Sequence, residues 1–143
     1  MYIDPKISEK FSIISNQVNS KANIHNALGI ELIHLSAEKI EATMPVDDRT
    51  KQPLGYLHGG ASVVLAESIA SIGAWLNIDI STKNAFGLEI NANHIRPMTA
   101  GVVKGIGIPI HIGSSTQIWS ISVMNQDSKL VCTSRCTIAV VDK

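Results

Sequence analysis

Between Gln52 and Ile78 the chain carries one formal charge, Glu67, in the middle of the run GGASVVLAESIASIGAWLN that spans residues 59–77. A segment of that length, apolar on nearly every side, reads as a buried helix. A lone carboxylate in such a helix is costly to desolvate. It has to be paired, neutralised by a proton, or retained for chemistry. Whatever the chain folds into must therefore cover this helix and still account for Glu67.

The rest of the sequence supplies strands to do the covering. Ile7, Phe11, Ile14 and Val18 recur at helical spacing behind Asp4-Pro5, and a helical turn over 22–28 is stopped by Gly29. Ile30 to Leu35 and Ile40 to Val46 read as two strands, followed by a loop from Asp47 to Leu57 with Pro53 and Gly55. After the long helix, alternation over Phe86 to His94, Val102 to His111, Gln117 to Met124 and Leu130 to Val141 predicts four more strands with short turns between them. Consecutive strands joined by short turns favour an antiparallel sheet. The stripe Ala61, Val64, Leu65, Ser68, Ile69, Ile72, Trp75 and Leu76 is expected against that sheet. The opposite face, with Val63, Glu67, Ala70, Ser71 and Ala74, lacks the charges of a solvated helix, so a partner subunit is expected to cover it.

Composition narrows the function. The 143 residues carry 12 Lys and Arg against 12 Asp and Glu, with no basic run, which argues against a nucleic-acid binder. The polar start MYIDPKISEK predicts no signal peptide. A glutamate in mid-helix argues against a membrane span, since burying it in lipid costs about 2.5–3.5 kcal/mol. Cys132 and Cys136 fall on one predicted strand, about 13 Å apart, too far for a mutual disulfide. Two reduced core cysteines suit the cytoplasm.

Three features could carry chemistry. His58-Gly59-Gly60 opens the helix, where free N–H groups and the helix dipole favour negative charge and glycines admit a ligand close to the backbone. The functional reading is an oxyanion site, and the plain one a tight turn with His58 packing. Glu67 and Ser71 share a helix face at i and i+4, so the hydroxyl could bond the carboxylate or hold a water beside it. Gln52 could donate its amide to the same oxyanion. Other candidates read as structural. Gly105-Ile106-Gly107 lacks the third glycine of a dinucleotide site and suggests a bent strand. His25, His34, His94 and His111 have no metal-ligand spacing, and Arg96, Lys104 and Arg135 read as solvated charges.

Spacing adds a constraint. Gly59 and Glu67 lie eight residues apart, about 12 Å along one helix axis. A carbonyl held by one and attacked through the other needs both within about 3–4 Å. One helix cannot supply both groups to one substrate. Two helices running antiparallel across a two-fold can do so twice.

These residues carry a resemblance. The segment Leu57-His58-Gly59-Gly60-Ala61-Ser62-Val63-Val64-Leu65-Ala66-Glu67-Ser68 resembles the signature of hotdog-fold acyl-CoA thioesterases, in the branch with its glutamate on the helix (the phenylacetate-type and 4-hydroxybenzoyl-CoA thioesterase superfamily). Within that branch it is similar to the 1,4-dihydroxy-2-naphthoyl-CoA hydrolases of menaquinone synthesis and to their sister proofreading thioesterases of enterobactin synthesis. The likeness runs from Leu28 to Val141 and includes EATMPVDDRTKQP (41–53), GLEINANH (87–94) and His111-Ile112-Gly113-Ser114 before Trp119.

The resemblance implies an α+β hotdog fold, with residues 1–143 as one domain in which an antiparallel sheet wraps one long central helix. It also implies dimers that pair into homotetramers. By carry-over Glu67 is nucleophile or general base, and the Gly59 N–H polarises the thioester carbonyl. Gln52 and His58 help bind that carbonyl, and Ser71 positions the hydrolytic water. The CoA arm would pass Gly87, His94, Ile95, Arg96 and Pro97, with its phosphates near His111, Ile112, Gly113, Ser114, Ser115 and Thr116. CoA enters as part of the substrate, and no cofactor or metal is expected. Both roles of Glu67 need the carboxylate form, so hydrogen-bond donors from the helix or a partner are expected around it. The residues before Leu28 match poorly and receive no role. Two alternatives stand beside hydrolysis of an aroyl- or acyl-CoA: a hotdog dehydratase acting on 3-hydroxyacyl thioesters, and a non-catalytic acyl-CoA-binding module.

Overall fold

The computed structural model describes residues 1–19 and 22–143, with the side chains of 17–19 left outside the description. A two-residue strand, β1 (Tyr2–Ile3), precedes a 3-10 turn over Pro5–Ile7 and helices α1 (Ser8–Asn19) and α2 (Ile24–Leu28). Strands β2 (Glu31–Leu35) and β3 (Ile40–Pro45) lead to the long helix α3 (Gly59–Leu76). Strands β4 (Lys83–His94), β5 (Val102–Ile112), β6 (Thr116–Met124) and β7 (Leu130–Asp142) follow.

All seven strands form one sheet in the order β1-β2-β3-β5-β6-β7-β4. Every neighbouring pair is antiparallel except β1 with β2. The six strands expected from alternation are present, and the sheet wraps α3 in the hotdog arrangement. β1 carries no sequence signature because two residues show no period. It is held by pairing with β2 and by Tyr2 stacking on His34, ring centroids 4.7 Å apart. Ile7 and Ile14 are buried as their spacing suggests, while the side chain of Val18 lies outside the described residues.

The sheet covers a wider arc of α3 than the expected stripe. Leu65, Ala66, Ile69, Ala70 and Ala74 are fully enclosed. Val64, Ser68 and Trp75, expected inside, are only half-covered, whereas Ala70 and Ala74, expected on the outer face, are fully buried. The physical reason is closeness of approach: a curved sheet draws nearest where the helix presents small side chains. Glycines on both partners deepen the contact. A Cβ on Gly105 or Gly107 would collide with Ile69, and one on Gly73 would collide with the Trp119 ring. Gly105-Ile106-Gly107 is thus a seat for the helix.

The end of α3 is also fixed by polar groups. Buried Gln117 donates to Ala74 O at 3.3 Å and accepts from Trp119 Nε1 at 3.1 Å, so both amide groups are satisfied. Lys10 of α1 reaches the open carbonyls of Leu76 and Ile78 at 3.0 and 2.7 Å, a cation at a helix C-terminus. The face left half-covered carries Val63, Val64, Glu67, Ser68, Ser71 and Trp75. Beside it runs β4, a twelve-residue edge strand paired on one side only, with Phe86 and Leu88 58% and 66% exposed. A long, apolar, unpaired edge of this kind is a template for another strand.

Candidate active site

The first group of candidates lies at the N-terminus of α3. Thr50 organises the preceding loop: its hydroxyl donates to Pro45 O at 2.8 Å, and its carbonyl accepts His58 N at 2.8 Å. Gly55, at φ 85°, closes the turn that returns the chain toward His58. His58 then caps the helix, its Nδ1 accepting Gly60 N–H at 2.8 Å. Ala61 and Ser62 donate to His58 O, while the Gly59 N–H has no acceptor among the described residues.

A cleft of about 430 Å³ opens here, lined by Gln52, Tyr56, Gly59, His94, Arg96 and Pro97 among others. Gln52 uses its side-chain oxygen to accept Leu54 N–H, so its NH₂ is the group that can donate into the cleft. The His94 imidazole lies so close to Gly59 that a Cβ there would stand 2.6 Å from Nε2. Ile95 and Arg96 are fastened to β7 through Val131 O, and the Arg96 guanidinium donates to Leu130 O at 2.6 Å. His58 itself does not line the cleft; its side chain is spent on the cap.

The second group lies two turns along the helix. Glu67 is half-buried, and no hydrogen bond or ion pair reaches it among the described residues. The expected donors are therefore not supplied by this chain's described part. Its carboxylate rests against the backbone of Gly87, where a Cβ would collide with Oε1. A bulge between Gly87 and Glu89 bends β4 at that point. Glu67, Ser68 and Ser71 line a cleft of about 340 Å³ with Val64, Ile72 and two residues of α2, Ile24 and His25. Behind it, burial pushes the Cys136 thiol up to about 12, with the negative charges of Glu67 and Glu89 adding to the rise. Cys132 is likewise raised by burial, and both cysteines are free. Neither is an available nucleophile.

The residues expected at the CoA phosphates form the exposed β5–β6 turn. Gly113 N donates to Thr116 O at 2.9 Å, and the His111 ring packs over Gly113. This turn lines neither cleft. It stands at the Glu67 end of the sheet, since Thr116 pairs with Ala139, which pairs with Phe86. One chain thus groups Gln52, Gly59, His94, Ile95, Arg96 and Pro97 at one end, and Glu67, Ser71, Gly87 and the 111–116 turn at the other. Tyr56, Ile24 and His25 were missed. Tyr56 could have been flagged as an aromatic beside His58, but nothing in the sequence brings α2 to Glu67.

A sheet wrapped around one helix, with an unpaired amide near one end and a carboxylate two turns on, defines a hotdog protein built to act on a carbonyl. A family model described as the thioesterase superfamily matches residues 54–132. The chain is 45% identical to a 1,4-dihydroxy-2-naphthoyl-CoA hydrolase of Escherichia coli K12, over 92% of its own length and 96% of that enzyme's. It is 43% identical to the proofreading thioesterase EntH of Cronobacter turicensis, over 80% of its length and 82% of that protein's. A crystallised variant of thioesterase PA1618 from Pseudomonas aeruginosa superposes with a TM-score of 0.85 at 42% identity, covering 92% of this chain and 93% of that one. The chain belongs to the thioesterase superfamily, and it is a thioester hydrolase.

Proposed function

We propose that the chain hydrolyses an aroyl- or acyl-CoA thioester at a site shared between two copies, with Gly59 of one facing Glu67 of the other. The observation that carries this is the split of the site: the two clefts lie at separate points on α3, and both groups sit beside the open edge of β4. Pairing two β4 edges about a two-fold would continue the sheet and set two α3 helices antiparallel, side by side. That pairing would cover Val63, Val64 and Trp75.

In the shared site, the Gly59 N–H and the Gln52 NH₂ would donate to the developing oxyanion, with the helix N-terminus adding its dipole. Two routes fit Glu67. As general base, it takes a proton from water held by Ser71 while the water oxygen attacks the carbonyl carbon; the C–S bond then breaks and the proton passes to the thiolate. As nucleophile, its oxygen attacks directly and the thiolate leaves an anhydride, which water cleaves. Neither route needs a cofactor or a metal. His94 through Pro97 would guide the CoA arm, and the 111–116 turn of the partner would meet its phosphates.

The kinship with two enzymes named 1,4-dihydroxy-2-naphthoyl-CoA hydrolase, at 45% and 48% identity, favours a fused-ring aroyl-CoA and a place in menaquinone synthesis. Single-domain, cytoplasmic, homotetrameric protein is the matching expectation, supported by the two free thiols and the unpaired edge. The test is thiol release from benzoyl-, naphthoyl-, hexanoyl- and 3-hydroxybutyryl-CoA. Release of CoA with the aroyl thioesters preferred supports the reading. An enoyl product from the 3-hydroxy substrate, or binding without release, contradicts it.

A further inference from the structure

The Glu67 cleft ends on a residue from the part of the chain that sequence comparison left without a role. His25 lines that cleft and also lines a second one of about 390 Å³, whose wall includes Phe11, Ile14, Ile30 and Leu32. His25 therefore borders both the space beside the carboxylate and a larger space beneath α1, which polar Ser15, Asn26 and Glu31 line as well. We propose that His25 is the specificity-determining end wall of the acyl pocket, limiting substrates to acyl groups that fit between Glu67 and its ring. This rests on the thioesterase reading given above and adds the acyl length that the site accepts.

The structure makes His25 suitable as a wall. Its backbone is pinned: His25 O accepts Ile30 N at 2.8 Å, and α2 is capped by Asn23 through Asn26 N and by Gly29 at φ 68°. The Arg49 guanidinium packs against Gly29 from the other side, held in turn by Asp47 at 2.6 Å. The side chain makes no hydrogen bond among the described residues. Burial pushes its pKa below the ordinary histidine value, which favours the uncharged ring at neutral pH. A neutral planar ring tolerates an acyl group against it, where a cation would have to be desolvated. An aroyl group, or a chain of a few carbons, would reach the ring and stop. A long chain would need the space beyond it.

The test measures kcat/KM for benzoyl-, hexanoyl- and dodecanoyl-CoA by thiol release, in the full chain and in His25→Ala and His25→Phe. Opening the wall should raise the dodecanoyl-to-benzoyl ratio at least about tenfold in His25→Ala, a size typical of altered apolar pocket fit. His25→Phe restores a ring of similar span and should keep the ratio close to that of the unaltered chain. If the alanine variant folds poorly, His25→Ser, which also removes the ring, should raise the ratio likewise, and an unchanged ratio there overturns the proposal. An unchanged ratio in His25→Ala, or a ratio in His25→Phe that rises as in His25→Ala, overturns the proposal. An unaltered chain that releases no thiol from any of the three overturns the thioesterase reading itself, and the end wall with it.

Discussion

The two functional regions of α3 are built on different principles. The Gly59 region is mostly local: residues 50–62 fold onto themselves through Thr50, Gly55 and the His58 cap, and the end of β4 with the residues after it, His94 to Pro97, and Val131 of β7 complete the cleft. The Glu67 region is assembled from far apart, with α2, the middle of α3 and the bulge at Gly87 meeting around one carboxylate. Among the described residues, the first presents a donor without an acceptor and the second an acceptor without a donor. Each region is chemically unfinished in the way the other would complete, which is the physical ground for a shared site.

The largest expected effect comes from the carboxylate. Glu67→Gln should lower kcat by about 10²–10⁴-fold, the range a positioned acid–base group supplies, while the melting temperature stays unchanged or rises. Turnover like that of the unaltered chain would remove Glu67 from the chemistry. At the other region, Gly59→Ala keeps the N–H but drives a methyl into the His94 ring. We expect kcat to fall by roughly 10²-fold, on the scale of a lost oxyanion donor, with KM for the CoA thioester changed less. A fall confined to KM would make this cleft a binding surface only.

The smallest effect concerns charge. Because burial, then Glu67 and Glu89, raise the Cys136 thiol to about 12 from an ordinary value of 9.0, the folded chain holds a proton that the unfolded chain releases above pH 9. Stability therefore falls as pH rises from about 9 to 12. Cys136→Ala should flatten that decline in denaturant titrations. Glu67→Gln should lower the thiol's value slightly, since it removes one of the negative charges. An alkaline decline identical in the unaltered chain and Cys136→Ala would contradict this account of the buried thiol.

How much the sequence disclosed follows the same division. The strands, the central helix and the isolated Glu67 were legible because each is a local pattern: alternation, apolar continuity, one charge in a run of 27 residues. The helix N-terminus was legible because its parts are neighbours in the chain. The covered arc of α3 was misjudged at Val64, Ser68, Trp75, Ala70 and Ala74, since a helical period gives a face but not how far a curved sheet wraps it. Gly105 and Gly107 read as a bend because the side chain they admit, Ile69, is some 36 residues away along the chain. His25 was weighed only as a metal ligand, and nothing in its spacing pointed to Glu67; only the folded path of α2 brings it there.

The most direct measurement mixes two inactive variants. Glu67→Gln and Gly59→Val chains, unfolded and refolded together at equal amounts, would give half mixed dimers if pairing is random. With Glu67 of one chain serving Gly59 of the other, each mixed dimer holds one intact site of two. The mixture should then recover roughly a quarter of the activity of the unaltered protein. A mixture no more active than its two inactive parents would mean that each chain completes its own site, and would contradict the shared arrangement.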